Sequence, residues 1–170
     1  MIEYRRGDAT LPVGDGKKII VHVCNNIGRW GRGFVVALSK RWSEPEEAYK
    51  QWHAEKKDND FMLGNIQLVP VEDDDLWVAN MVGQIGIRKK YHQLPPVRYG
   101  AVESCLQKVA DAACEMEASI HMPRIGCGYG GGKWHKIEPI IQKTLVERGL
   151  RVVVYDFDPH GHTAARLITA

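Results

Sequence analysis

Two glycine-rich segments dominate the sequence, and each stands between a predicted strand and a predicted helix. The first, at residues 28–33, follows the β-branched run 18–24. The second, at residues 126–132, holds five glycines in seven residues and follows the short apolar segment 119–122. A strand that leads through a tight turn into a helix is typical of α/β proteins. Because ligands of open α/β sheets bind beyond the carboxyl ends of the strands, the two segments predict one cleft between two loops.

The other segments alternate between strand-like and helix-like patterns. Strands are expected at residues 2–6, 18–24, 65–71, 76–82, 119–122 and 151–155, and helices at residues 34–42, 44–57, 97–116 and 133–148. The acidic turn at residues 72–75 predicts a hairpin, which adds antiparallel pairing to the sheet. We therefore expect a three-layer α/β/α domain with a mixed central sheet over residues 1–157, followed by a C-terminal tail at residues 158–170.

The chemistry expected of the glycine-rich segments is phosphate binding. Glycines let a ligand approach the backbone, and the unpaired N–H groups at a helix N-terminus favour an anion. The first segment is not a P-loop, because no Gly-Lys-Ser/Thr follows, and it lacks the GxGxxG fingerprint of dinucleotide sites. Together the two loops predict a site that grips a diphosphate from two sides.

Composition narrows the class of protein further. A net charge of +2, with acids and bases interspersed, argues against duplex nucleic acid as a partner. No apolar run approaches the roughly 20 residues that span a bilayer, and the first residues lack the apolar core of a signal peptide. Four cysteines without CxxC spacing indicate a reduced protein and argue against zinc. We expect a cytoplasmic protein that needs no metal and no cofactor.

Four motifs resemble, in order, those of the macrodomain family. They are Gly-Asp-Ala-Thr at 7–10, His-Val-Cys-Asn at 22–25, Gly-Arg-Gly-Phe at 31–34 and Met-Pro-Arg-Ile-Gly-Cys-Gly at 122–128 with Lys133-Trp134. The last is similar to the second phosphate loop of a branch that includes the terminal ADP-ribose protein glycohydrolases and the fungal ADP-ribose 1''-phosphate phosphatase. The resemblance implies a macrodomain fold and, as ligand, ADP-ribose or a derivative, free or attached to a protein.

The resemblance also implies roles for individual residues. Asp8 would accept a hydrogen bond from the adenine amino group, with a turn-capping aspartate as the alternative. Asn25 would contact the distal ribose or close an Asx turn, and Tyr155 would stack on adenine or belong to the core. Arg124 would reach either a phosphate or an internal carboxylate. The other residues expected at the ligand are Ala9, Gly31, Arg32, Gly33, Phe34, Ile125, Gly126, Cys127, Gly128, Tyr129 and Gly130.

The reaction stays open at this level. The glycohydrolases use a strand lysine and a loop aspartate, and Gly83 and Gly130 stand at those positions, which disfavours a covalent lysine mechanism. The phosphatase-like relatives share more of the first motif and make His22 a candidate general base, with a buried strand histidine as the alternative. We expect hydrolysis at C1'' of ADP-ribose 1''-phosphate or of an ADP-ribosylated carboxylate. The alternatives are a non-catalytic reader of ADP-ribose and, disfavoured by the low net charge, a nucleic-acid-binding protein.

Overall fold

A computed structural model describes residues 1–88 and 94–157, and within them a single sheet is flanked by helices. The strands are β1 (Glu3–Arg6), β2 (Lys18–Asn25), β3 (Ile66–Glu72), β4 (Leu76–Gln84), β5 (Ser119–Met122) and β6 (Val152–Asp156). The helices are α1 (Phe34–Arg41), α2 (Glu44–Ala54), α3 (Tyr99–Met116) and α4 (Trp134–Thr144). The predicted tail at residues 158–170 lies outside the described residues. No helix of the described segments is both long and apolar enough to cross a bilayer.

The sheet is mixed, as predicted. Its strand order is β1-β6-β5-β2-β4-β3, and every neighbouring pair is parallel except β3 with β4. The antiparallel pair is the expected hairpin around the acidic turn. Because the other strands run in one direction, the carboxyl ends of β1, β2, β4, β5 and β6 lie along the same edge of the sheet.

The β-branched run of β2 reflects burial on both faces of the sheet. Ile19 and Val21 pack in the large core beneath α3 and α4, whereas Ile20 packs with Leu38 of α1 on the opposite face. A parallel strand covered on both faces has no solvent side, so its sequence is continuously apolar rather than alternating. The three-layer α/β/α prediction is confirmed.

All four predicted helices are longer than the observed ones, and two of them are longer by three residues or more. The helix expected at residues 44–57 ends at Ala54. The helix expected at residues 133–148 ends at Thr144, whose hydroxyl donates to the carbonyl of Ile140 at 2.7 Å. Such back-bonding competes with the helical ladder and bends it. A short 3₁₀ turn, Val146–Arg148, follows and ends at Gly149, which has a left-handed φ of 81°.

Candidate functional site

A cleft of about 710 Å³ lies at the carboxyl edge of the sheet, a volume typical of small-molecule sites. Loop 1 (residues 26–33) and loop 2 (residues 123–133) form its walls, together with the end of β4. The predicted site residues that line the cleft are His22, Asn25, Gly31, Arg32, Gly33, Phe34, Ile125, Gly126, Gly128, Tyr129 and Gly130. Asp8, Ala9, Cys127 and Tyr155 were also predicted, but they are not among the lining residues.

Asn25 organises loop 1 from the end of β2. Its Oδ1 accepts hydrogen bonds from the N–H groups of Ile27 and Arg29, at 3.0 and 3.1 Å, and from the hydroxyl of Tyr49 at 2.8 Å. Its Nδ2 donates to the carbonyl of Arg29 at 2.7 Å. These contacts are the Asx turn that we named as the alternative role. One Nδ2 proton is left for a ligand, so the ribose contact stays a prediction.

Loop 1 ends in unpaired backbone donors. Gly33 caps α1 with φ 81° and ψ −142°, which a side chain would strain. Within residues 1–88 and 94–157, no acceptor meets the N–H groups of Gly33, Phe34 or Val35. All three residues line the cleft. The positive end of the helix dipole and three free donors make this end of the cleft suitable for a phosphate.

Loop 2 is closed tightly on itself. The carbonyl of Gly126 accepts from the N–H of Gly132 at 2.7 Å, and a Cβ on Gly130 or Gly132 would lie 2.8 or 2.6 Å from that carbonyl oxygen. The glycines are therefore needed for the loop path itself, besides any contact with a ligand. No acceptor in the described part of the chain meets the N–H groups of Gly128, Tyr129 or Gly130, so loop 2 also offers donors to the cleft.

The two loops meet across the cleft. A Cβ on Gly33 would lie 3.4 Å from Cδ2 of Tyr129, and the guanidinium of Arg32 lies 5.9 Å from the centroid of the same ring. An arginine at this distance from an aromatic face is attracted by it. Tyr129 thus links the end of loop 1 to the tip of loop 2.

The cleft is electropositive. Its lining contains five basic side chains, and no aspartate or glutamate of the described segments lines it. Two of the five are paired, Lys50 with Glu46 at 2.6 Å and Arg124 with Asp156 at 2.5 Å. The other three are Arg29, Arg32 and Arg88. Positive charge concentrated at a concave surface raises the local concentration of an anionic ligand.

His22 lies beneath the cleft and is 2% exposed. Its Nε2 is 2.5 Å from Oδ1 of Asn80, and Asn80 Nδ2 donates to the carbonyl of Pro45 and to Oε1 of Gln67, both at 3.1 Å. Both amide protons of Asn80 are used in these bonds, and its Oδ1 can only accept. Nε2 of His22 is therefore the donor in the bond between the two side chains. Burial lowers the pKa of His22 to about 4, against the weaker opposing effect of Asn80. This geometry favours the buried strand histidine; the role of general base stays a prediction.

At the ends of β1 and β6, Asp8 caps a turn. Its Oδ1 accepts from the N–H and the hydroxyl of Thr10, at 2.8 and 2.7 Å, which is the alternative role we named. Its Oδ2 lies 3.5 Å from Nη2 of Arg41. Ala9, beside it, is buried. The adenine contact of Asp8 therefore depends on Oδ2 and stays a prediction.

The structure favours the core alternative for Tyr155 over the stacking role. Its ring is 3% exposed, and its hydroxyl lies 2.7 Å from Nδ1 of His121 and accepts from the N–H of Val13 at 3.0 Å. Tyr155 is a core residue because it packs with Ala9 and Val153, and Val13 and Phe34 pack against this cluster. Phe157, just beyond the strand, is 72% exposed and is the aromatic residue presented at this edge. Its position after the carboxyl end of a strand was the signal for it.

The lysine and the aspartate that the glycohydrolases use are replaced by Gly83 and Gly130, and the surroundings of both glycines leave little room for a side chain. A Cβ on Gly83 would lie 3.0 Å from Cγ1 of Val23 and 3.1 Å from Cγ2 of Val102, so this position points into the core. The next residue, Gln84, lines the cleft, and its Nε2 donates to the carbonyl of Gly86 at 3.0 Å. At Gly130 the approach of the Gly126 carbonyl excludes an aspartate unless loop 2 takes another path.

The described residues contain no group of three histidine, cysteine or carboxylate side chains that could hold a metal ion. All four cysteines are free thiols. Burial raises the pKa of Cys24 well above its usual value, and it raises that of Cys105 to about 12. Cys127, in loop 2, is partly buried and its pKa is also raised by burial. None of these three is a thiolate at neutral pH, which disfavours them as nucleophiles.

A mixed sheet between two helical layers, with two glycine loops around a cleft at its carboxyl edge, defines the macrodomain class. The family model described as Macro domain matches residues 21–141. The chain belongs to the macrodomain family, which confirms the resemblance seen in the sequence.

Several known proteins are similar to this chain. Mouse Chromodomain-helicase-DNA-binding protein 1-like is 36% identical over 92% of the chain, which spans only 18% of that relative's length. The ADP-ribose 1''-phosphate phosphatase of Candida albicans is 26% identical, over 84% of this chain and 93% of the phosphatase. A macrodomain protein structure from Streptomyces coelicolor is 51% identical with a TM-score of 0.81, over 92% of this chain and 99% of that one. Hydrolases therefore occur among its relatives.

Proposed function

We propose that the cleft binds ADP-ribose, with the diphosphate between loops 1 and 2. One observation carries the proposal: the free N–H groups of both loops open into a single cleft whose described lining has five basic side chains and no carboxylate. Backbone donors and cationic side chains suit a diphosphate, which is negatively charged at neutral pH. The 26% identical phosphatase of Candida albicans is named for a substrate that contains ADP-ribose, which supports this choice of ligand.

The adenosine end of the ligand belongs at the ends of β1 and β6. Phe157 is exposed there and offers a ring on which adenine can stack. Gly7 lies beside β6, because its N–H donates to the carbonyl of Asp156 at 2.9 Å, so Asp8 and Phe157 share this end of the site. Oδ2 of Asp8 is the oxygen suited to the adenine amino group.

Hydrolysis at C1'' is a second candidate function, on ADP-ribose 1''-phosphate or on an ADP-ribosylated carboxylate. The phosphatase relative supports it. Since no carboxylate of the described segments lines the cleft and His22 is neutral and buried, a phosphate of the substrate itself would have to help activate the water. The loop donors would stabilise the negative charge that develops. The same lack of catalytic groups favours the reader, which binds ADP-ribose without turning it over.

Calorimetry with ADP-ribose tests the binding proposal, with two glycine variants as a matched pair. Gly33→Ala and Gly16→Ala both place a side chain at a φ near 80°, but only Gly33 lines the cleft, where the new methyl would meet Tyr129. We expect saturable heat for the wild type and Gly16→Ala, and a loss of affinity of at least tenfold for Gly33→Ala. Folded wild-type protein that gives no saturable heat would overturn the proposal. Phosphate release from ADP-ribose 1''-phosphate then separates the hydrolase from the reader.

A further inference from the structure

Arg124 lines the cleft, and its guanidinium is held by an ion pair and by two aromatic rings. It follows β5, and its guanidinium reaches the end of β6, where Nε lies 2.5 Å from Oδ1 of Asp156 and Nη2 lies 3.1 Å from Oδ2. This two-pronged pair raises the pKa of Arg124 and lowers that of Asp156. The side chain of Arg124 is nevertheless 40% exposed and faces no carboxylate of the described cleft lining.

Two aromatic rings fix the same guanidinium from β1 and α4. Its Cζ lies 5.2 Å from the ring centroid of Tyr4 and 5.1 Å from that of Trp134. The rings are themselves linked, because Nε1 of Trp134 donates to the hydroxyl of Tyr4 at 3.0 Å and that hydroxyl bonds Glu138. Arginine stacks on aromatic faces and pairs with carboxylates through a planar fork, so these contacts together define its orientation.

The contacts leave donors on Arg124 unused. A guanidinium has five N–H donors, and the pair with Asp156 engages Nε and Nη2. Within residues 1–88 and 94–157, Nη1 has no acceptor. A donor group that is fixed before the ligand arrives loses little conformational freedom on binding. Arg124 is therefore a prearranged cationic donor at the cleft.

Its place along the sheet identifies the part of the ligand it would meet. The strand order β1-β6-β5-β2 puts β5 and loop 2 between the first glycine loop and the ends of β6 and β1. Arg124 reaches from β5 towards β6. It therefore lies between the diphosphate loops and the adenine end proposed at Asp8 and Phe157, where ADP-ribose has its adenosine-side phosphate.

We propose that Arg124 is a ligand-binding residue that donates from Nη1 to the adenosine-side phosphate of ADP-ribose, and that Asp156 is its positioning residue. The inference rests on the proposed function and names a contact that loop backbone alone does not supply. Asp156 fixes the fork, and Tyr4 and Trp134 fix the plane of the guanidinium. These three contacts hold the flexible side chain of Arg124 in one orientation.

The test is the affinity for ADP-ribose at two salt concentrations, for Arg124→Gln, Arg124→Lys and Asp156→Asn. Arg148→Gln is the control, because Arg148 also pairs with an aspartate, Asp111 at 2.6 Å, but does not line the cleft. We expect Arg124→Gln to weaken binding at least tenfold and to flatten its salt dependence. Arg124→Lys keeps the charge but not the fork, so a smaller loss is expected, and Asp156→Asn should resemble it. Arg148→Gln should bind like the wild type.

Phosphorus NMR of bound ADP-ribose identifies which phosphate is affected. In Arg124→Gln, at saturating ligand, the adenosine-side resonance should move towards its free position while the other keeps its bound position. Wild-type protein that binds while Arg124→Gln binds within twofold of it would overturn this inference and leave the proposed function intact. A tenfold loss with an unchanged salt dependence, or with the shift confined to the other phosphate, would show that Arg124 acts only through the fold of loop 2. Absence of binding by the wild type would overturn both proposals.

Discussion

Nε2 of His22 lies 2.5 Å from Oδ1 of Asn80, and this contact places a proton on Nε2 of a histidine under the cleft. The two protons of the Asn80 amide go to the carbonyl of Pro45 and to Gln67, whose own amide donates to the carbonyl of Ala48 at 3.0 Å. Backbone carbonyls can only accept, so the direction of the whole chain of hydrogen bonds is set. Nε2 of His22 therefore carries a proton, and because burial lowers the pKa of the ring to about 4, the ring is neutral at pH 7 with its lone pair on Nδ1.

The first prediction concerns the pH dependence of stability. The pKa of His22 falls from 6.5 to about 4 on folding, so the unfolded chain binds more protons between these values. Stability is then fully present above pH 6.5 and is lost as the pH falls towards 4, by an amount on the order of 3 kcal/mol. Chemical unfolding at pH 7 and pH 4.5 should show this loss together with that of His121, whose pKa burial lowers to about 3, and nitrogen NMR should show the Nε2–H form of His22 at both values. A doubly protonated ring at pH 5.5 in folded protein would contradict the assignment.

The second prediction separates structure from catalysis at His22. His22→Ala removes a buried ring and leaves Asn80 Oδ1 without its donor, so we expect a loss of about 2–4 kcal/mol in the free energy of unfolding. The Kd of the folded variant for ADP-ribose should change less than threefold. Unfolding curves and calorimetry at a temperature where the variant is folded measure the two effects. Unchanged stability with abolished phosphate release from ADP-ribose 1''-phosphate would instead make His22 the general base.

The third prediction compares the two aromatic residues at the end of β6. Phe157→Ala should weaken ADP-ribose binding about tenfold with little change in Tm, because stacking of a base on an aromatic ring contributes about 1–3 kcal/mol. Tyr155→Phe should lower Tm, because it removes a buried hydroxyl that bonds Val13 and His121, and should leave the Kd within threefold. Thermal unfolding and calorimetry on both variants check the pair. The reverse pattern would restore Tyr155 as the stacking residue.

The fourth prediction concerns the path of loop 2. Gly132 does not line the cleft, yet a Cβ there would lie 2.6 Å from the carbonyl of Gly126. Gly132→Ala should therefore open the loop and weaken ADP-ribose binding at least tenfold without touching the ligand. Gly100→Ala is the control, since nothing lies within 4 Å of its Cβ position in α3, where alanine favours the helix. Equal affinities for the two variants would mean that loop 2 tolerates the displacement.

The sequence predicted local features well, because strands, helices and glycine loops are encoded in neighbouring residues. It left Tyr155 open between stacking on adenine and the core. Because β6 continues through Asp156, Tyr155 is buried and the exposed aromatic position is Phe157. The burial of His22 follows from the continuous apolar run of β2. Its partner Asn80 is 58 residues away, and Asp156 is 32 residues from Arg124, so these contacts depend on strand order and not on any local pattern.

Asp156 contacts residues at both ends of the proposed site. Its carbonyl accepts from the N–H of Gly7, next to Asp8, and its carboxylate holds Arg124 at the start of loop 2. The segment proposed to receive the adenosine and the segment proposed to receive the phosphates thus both contact the same residue. Ordering one half of the site lowers the entropy cost of ordering the other, so two separate fragments of ADP-ribose should assist each other's binding.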